Sequence, residues 1–312
     1  MPRILVTGGA GFIPSAIAIR LSQLPDTEVV AVDNLSTGDL RKLELGKHPG
    51  LRFIKCDVNR FQDISAVFYA YRPQFVFHYA AVVGVKRTTD HPVNVLHDID
   101  GIRNVLDLCK NTGVQRIFFS SSSEVYGEPV EFPQNEHTTP LNSKLPYAIV
   151  KNVGEAFLRS YHREYGLEYT VFRFFNTYGP KQSKDFVVSK FIRAALKGQD
   201  ITVYGDGSQS RTFCFIDDNI EATVNAFRNN EVLNDVANIG NDRETHIIDL
   251  AKLVIELTAS RSKIVHLPPL AEGDMTRRMP DIRRMRQLLG RDLLPLREGL
   301  KRILDDTSFI LD

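Results

Sequence analysis

Tyr147 and Lys151 stand four residues apart in the run Pro146-Tyr147-Ala148-Ile149-Val150-Lys151. On a helix, positions i and i+4 share a face, so a phenol and an ammonium at this spacing enter one pocket. The neighbouring Lys⁺ favours phenolate and predicts a Tyr147 pKa below the ordinary value near ~10. A tyrosine tuned in this way is a general base for the proton of a substrate hydroxyl. Upstream, the run Ser120-Ser121-Ser122-Ser123 follows an apolar stretch. Its hydroxyls should emerge at the carboxyl end of a strand, where open α/β sheets bind their ligands. Serine-rich turns also act as local caps, but upstream of a Tyr/Lys pair a hydroxyl can hold a substrate oxygen or relay its proton. Proton removal becomes oxidation only if a hydride acceptor lies beside the same carbon.

The N-terminus carries the pattern of a site for that acceptor. Arg3-Ile4-Leu5-Val6-Thr7 reads as a buried strand, Gly8-Gly9-Ala10-Gly11-Phe12-Ile13-Pro14 as a turn, and Ile13 to Leu24 as a helix. Strand, glycine turn and helix together predict dinucleotide binding, with the pyrophosphate close to bare backbone and free helix N–H groups. A second strand, Val29-Val30-Ala31-Val32, ends at Asp33. A carboxylate there accepts both adenosine ribose hydroxyls and repels a 2′-phosphate, so NAD is expected rather than NADP. Arg41 and Lys42 are the nearby cations that argue the other way. Pro14 occupies the place of the usual third glycine. In the first helical turn a proline loses no intrahelical bond; the alternative is a nucleotide held in a different pose, or a degenerate site.

These groups must be positioned by a sizeable core, and 312 residues provide one large α/β domain or two modest ones. With 43% hydrophobic residues, 25% charged residues and a net charge of +1, the composition is that of a soluble globular chain. Nothing in it argues for nucleic acid or an anionic membrane as partner. Cys56, Cys109 and Cys214 lack metal-ligand spacing, so no metal is expected, and Cys56 and Cys109 read as buried thiols. No apolar stretch reaches membrane-spanning length and the N-terminus runs straight into a strand, so a cytoplasmic protein is expected. Strand-like runs Leu51–Asp57, Phe75–Tyr79, Gln115–Ser121 and Glu168–Phe175 alternate with helical stretches near Asp63–Tyr71 and Val93–Asn111. Such alternation predicts an α/β fold with a Rossmann-type, doubly wound parallel sheet covered by helices. The texture changes near Gly179. The expected division is 1–178 for nucleotide binding and 179–312 for a smaller α/β substrate-binding domain, with segments near 212–240 returning to the main sheet. The later elements expected are a helix over Phe186–Lys197, short strands at Ile201–Tyr204 and Thr212–Ile216, and a helix capped by Asp217 and Asp218.

Along essentially its whole length the chain resembles the extended short-chain dehydrogenase/reductases that modify nucleotide sugars. The resemblance rests on Thr7 to Ile13, Asp33-Asn34-Leu35, Asp57-Val58, His78-Tyr79-Ala80-Ala81, Ser122 to Gly127, and Tyr147 with Lys151. It continues in Arg173 to Pro180, Tyr204-Gly205-Asp206-Gly207, Ser210-Arg211 and Arg278-Met279-Pro280-Asp281-Ile282. It implies that Tyr147 and Ser122 deprotonate the sugar C4 hydroxyl while NAD⁺ takes the C4 hydride, with Lys151 on the nicotinamide ribose. The resulting 4-keto sugar can lose a C6 carboxylate as CO₂, lose water, or turn over and be reduced on its other face.

Further roles follow from the same resemblance. Gly8, Gly11, Phe12, Ile13, Asp33 and Asn34 would line the dinucleotide; Asp57 and Val58 would flank adenine; Ala80, Ala81, Lys86 and Asp98 would complete the cofactor site. Asp98 departs from the family, which normally has asparagine there; a carboxylate near the nicotinamide can stabilise its oxidised form. Asn176 and Arg211 would bind the substrate diphosphate. Ser123-Glu124 resembles the Ser-Glu pair of UDP-glucuronate decarboxylases, and Arg278 matches their arginine for the substrate carboxylate, although epimerases use that position for diphosphate. Glu124 is otherwise a solvated or capping acid. Lys144 replaces the decarboxylases' usual arginine, and Leu145-Pro146-Tyr147-Ala148 is closer to epimerases. UDP-glucuronate decarboxylation and 4-epimerisation of a UDP-hexose or UDP-hexuronate are thus both implied. Dehydration and a non-catalytic NAD-binding protein are further alternatives. A homodimer through the helices near Val93–Asn111 and Tyr147–Tyr165 is also implied.

Overall fold

Six aliphatic or aromatic runs form the first strands in chain order: β1 (Arg3–Thr7), β2 (Glu28–Asp33), β3 (Leu51–Lys55), β4 (Phe75–His78), β5 (Arg116–Ser122) and β6 (Glu168–Phe174). In the computed structural model, which describes residues 2–84, 88, 90–269 and 277–311, a seventh strand at Asp235–Ile239 joins them. The sheet order is Asp235–Ile239, β6, β5, β4, β1, β2, β3. The pairings of β1 with β2 and β4, of β2 with β3, and of β4 with β5 are all parallel. Strands covered on both faces read as unbroken apolar runs, and Ile4, Leu5 and Val6 are all buried, as is every residue of β5. Strand order reverses on either side of β1, which opens a crevice at the carboxyl ends of β1 and β4. This is the expected α/β, doubly wound fold.

Helices Phe12–Ser22, Phe61–Tyr71, Asp98–Thr112 and Pro146–Tyr165 connect these strands. The latter pair end on Gly113 and Gly166, both left-handed, as their carbonyl ends require. One expected element is broken: the helix over Val93–Asn111 is two, Pro92–Leu96 and Asp98–Thr112. At His97 the Asp100 N–H turns to the His97 carbonyl at 3.0 Å. The ladder restarts there, which places Asp98 in a helical first turn, where a carboxylate is favoured.

The chain forms two interleaved units, Met1–Val125 with Ser143–Arg173 and Thr223–Ala237, and Tyr126–Asn142 with Phe174–Ala222 and Asn238–Asp312. The sequence places the boundary after residue 178; Tyr126–Asn142 lies instead with the second unit. The second unit carries helices Val187–Leu196, Ile247–Thr258 and Leu296–Asp305 and three two-stranded pairings. The strand expected over Thr212–Ile216 divides at Phe213. Ser210–Thr212 pairs with Glu244–His246, and Cys214–Phe215 pairs with Thr177–Tyr178. Asp217 and Asp218 lie inside the first turn of helix Ile216–Arg228 rather than capping it. They bind Arg302 at 2.9 Å and Arg291 at 2.7 Å. All three cysteines are buried free thiols, and burial pushes Cys56 up to about 12. Among the described residues no helix is long and apolar enough to cross a membrane, and no cluster could hold a metal ion.

Candidate active site

Pro146 opens the helix Pro146–Tyr165 at its first position, where its missing N–H costs nothing, and Leu145 before it is extended. Two turns on, Gly154 faces the Phe119 ring of β5 so closely that a Cβ would stand 2.8 Å from Cε1. That approach lays Lys151, one turn earlier, over the same ring, with Nζ 5.0 Å from its centroid. Nζ also lies 5.7 Å from the Tyr147 ring centroid. The i, i+4 pair therefore shares one face.

The serines at the end of β5 take different partners on helix Pro146–Tyr165. Ser120 accepts from Lys151 Nζ at 3.4 Å, and Ser122 is hydrogen-bonded to the Tyr147 side chain. Ser121 between them donates to Glu155 Oε1 at 2.7 Å, one turn beyond Lys151 on the same helix. Glu155 is clamped by Arg173, at 2.9 and 2.7 Å, so Ser121 belongs to a buried structural network. Ser122 Oγ also accepts from the Glu124 N–H at 3.2 Å. Ser123 is buried at the start of the 3₁₀ turn Ser123–Tyr126. Glu124 is half-buried, and Lys144 is exposed.

The charge state differs from expectation. Burial raises the Tyr147 phenol above its ordinary value rather than lowering it, and the Glu124 and Asp98 carboxylates raise it further against the Ser122 hydrogen bond. Burial brings Lys151 itself down to about 8, with Asp98 opposing the shift. Phenolate in this pocket needs additional positive charge. Asp98 is buried, its Oδ2 accepts from the Val82 N–H at 2.7 Å, and burial raises its pKa while Val82, Lys151 and Asn59 oppose the rise.

The glycine turn has the form of a cofactor cradle. Gly8 adopts φ +70°, and a Cβ on it would lie 2.8 Å from Ala80 Cα; one on Gly9 would lie 2.7 Å from Ala31 Cβ. Gly11 caps helix Phe12–Ser22 with no side-chain hydrogen bond, leaving the end open. The first helical bond runs from Ser15 N–H to the Gly11 carbonyl at 3.1 Å. Pro14, next to the bare Gly11, therefore removes no ladder bond, as expected. Asp33 closes the cradle, its two oxygens accepting from Leu35 N–H at 2.7 Å and Ala10 N–H at 3.1 Å. Arg41 is bound to Asp39 at 2.7 Å, so its guanidinium is already engaged. Asn34 bridges to Asp57 Oδ2 at 3.3 Å, joining the ends of β2 and β3; Val58 beside it is buried. This donor set fits a dinucleotide. Phe12, Ile13, Ala80 and Ala81 lie along the same turn and strand ends; Lys86 lies outside the described residues.

Several residues that organise this unit were given no role by the sequence. Thr7 Oγ1 accepts from the Tyr79 and Ala80 N–H groups, each at 3.1 Å, and with both lone pairs occupied donates to His78 Nδ1 at 2.8 Å. His78, held to about 3 by burial and then by Lys151, is neutral. Asn104 donates to the Val58 and Asn59 carbonyls at 3.0 and 3.2 Å. In the second unit, Asn176 has φ +27° and a buried Nδ2 with no partner among the described residues. Arg211 is half-buried and donates to the Ser210 carbonyl at 2.7 Å, and Arg278 is buried. Gln134, missed by sequence reasoning, is fully buried with both amide atoms unpaired among the described residues.

Residues 4–240 match the model of the NAD-dependent epimerase/dehydratase family. UDP-glucuronic acid decarboxylase 1 of Danio rerio is 36% identical over 97% of this chain and 72% of its own length. A putative UDP-glucose 4-epimerase of Methanocaldococcus jannaschii is 33% identical over 97% of each chain. Among solved structures, UDP-glucose 4-epimerase of Thermotoga maritima with UDP-glucose superposes with a TM-score of 0.91 at 33% identity, covering 99% of this chain and 100% of that one. The chain is an extended, NAD-dependent short-chain dehydrogenase/reductase. It belongs to the NAD-dependent epimerase/dehydratase family.

Proposed function

We propose that the protein acts on a UDP-sugar through transient oxidation at C4, and that its specific reaction is decarboxylation of UDP-glucuronate. The observation that carries this reading is Glu124, a carboxylate close enough to raise the Tyr147 phenol in a site where Ser122 already bonds that phenol. When bound, NAD⁺ supplies the hydride acceptor. Tyr147, relayed by Ser122, takes the C4 hydroxyl proton as the C4–H leaves with its electron pair, and C4 becomes a ketone. The C6 carboxylate then lies β to a carbonyl, so the C5–C6 bond can break with its electrons entering the enolate. C6 leaves as CO₂, Glu124 is the candidate source of the proton that C5 takes up, and the C4 ketone would then take the hydride back as Tyr147 returns its proton. Lys151 is the candidate for holding the nicotinamide ribose, and the positive charge of a bound oxidised cofactor would favour the phenolate the first step needs. Asn176, Arg211, Arg278 and Lys144 remain candidates for the diphosphate and carboxylate.

Epimerisation at C4 is the second reading, favoured by the exposed Lys144, which offers one mobile charge where a bidentate grip on a carboxylate would be expected. Mass spectrometry after incubation with UDP-glucuronate separates the two: loss of CO₂ supports decarboxylation, an isobaric product epimerisation. Full activity in Glu124→Gln with an unchanged product would remove C5 chemistry and leave the epimerase. We further propose a cytoplasmic homodimer.

A further inference from the structure

We propose that Asp98 is a charge-balancing residue that makes the cofactor site favour oxidised NAD⁺ over NADH. The inference rests on the reading that Tyr147 and Lys151 face the nicotinamide, and is independent of which sugar is turned over. Asp98 is 9% exposed, in the first turn of helix Asp98–Thr112. Its Oδ2 takes the Val82 N–H at 2.7 Å, and the Asn59 side chain hydrogen-bonds the same carboxylate. One turn on, a Cβ at Gly101 would stand 3.0 Å from Val58 Cγ2, so this helix closes directly on the Val58–Asn59 turn. Val82 ends the segment leaving β4, whose Ala80 backbone packs on Gly8. The carboxylate is thus held by the segment leaving β4, on a helix that closes on the turn after β3.

Hydrogen bonding alone does not require a charge at this position, because an asparagine oxygen would also accept the Val82 N–H. The surroundings explain the charge. Lys151, 3% exposed, has Asp98 as the charge that supports its protonation. An oxidised nicotinamide carries a positive charge and a reduced one does not. Two cations in a pocket closed to water repel each other strongly. An anion at Asp98 offsets that repulsion for the oxidised form alone.

The test equilibrates wild type and Asp98→Asn with equimolar NAD⁺ and NADH, removes unbound cofactor, and quantifies the bound forms chromatographically. The variant should move the bound ratio toward NADH by about tenfold. An unchanged ratio, a move toward NAD⁺, or an equal loss of both forms would overturn the proposal and leave Asp98 as a support for Val82. If Asp98→Asn does not fold, Asp98→Ser, which also keeps an oxygen, reads the same ratio. No sugar enters this assay, so failure to turn over any UDP-sugar would sink the reaction proposed above without altering this result.

Discussion

Tyr147 sits among two carboxylates and one ammonium, and the balance of these charges decides when it can act as a base. Glu124 and Asp98 both raise the phenol, so removing the Glu124 charge must lower it. Glu124→Gln should increase the Tyr147 ionisation constant up to about tenfold in cofactor-free protein. Ultraviolet difference titration, with Tyr147→Phe as the blank, reads this directly; an unmoved titration would show that the carboxylate does not reach the phenol. Tyr147→Phe itself should reduce turnover by about 10²–10⁴-fold with circular dichroism unchanged. Lys151 gives a stability prediction of defined sign. Its folded value is about 8 and its ordinary value 10.5, so between these pH values the unfolded chain holds more protons. Stability contributed by this group therefore rises with pH across that window, and the full penalty of burying the ammonium stands below it. The urea stability of Lys151→Met relative to wild type should be greatest below pH 8 and decline above it by up to about 1.4 kcal/mol per pH unit. A pH-independent difference contradicts a buried ammonium at this position.

At the scale of elements, the site depends on how closely helix Pro146–Tyr165 approaches β5. Gly154 permits that approach because a Cβ there would press on the Phe119 ring, which is fully buried and has little room to yield. Gly154→Ala should destabilise the fold by about 1–3 kcal/mol despite alanine's better helix propensity. The same change should reduce turnover, because the helix that moves away carries Lys151 and Tyr147. A thermal midpoint equal to or above wild type would mean that the helix does not need this contact. The break at His97 acts on the neighbouring helix in a comparable way, since only a restarted ladder gives Asp98 a first-turn position.

For the whole molecule, the expected homodimer has a surface to test. Val93 and Leu96 on helix Pro92–Leu96, and Ile149 and Tyr165 on helix Pro146–Tyr165, are exposed apolar side chains. A charge at an exposed apolar position opposes association far more than it disturbs the monomer. Wild type should therefore scatter light as a dimer at micromolar concentration, and Val93→Asp with Ile149→Asp as a monomer. A monomeric wild type would overturn the dimer.

The sequence by itself determined the elements whose signal is local. The glycine turn, the i, i+4 Tyr147/Lys151 pair and the run of buried parallel strands each follow from spacing and residue type within a short window. The tertiary structure decided the partners of the serines other than Ser122, because how far each side chain reaches depends on the approach of helix Pro146–Tyr165 to β5: Ser120 bonds Lys151 and Ser121 bonds Glu155. It also reversed the direction of the Tyr147 shift. Burial and the carboxylates of Glu124 and Asp98 converge on the phenol from separate elements, and electrostatic energy depends on distance in space and on local solvent, neither of which is written in chain spacing.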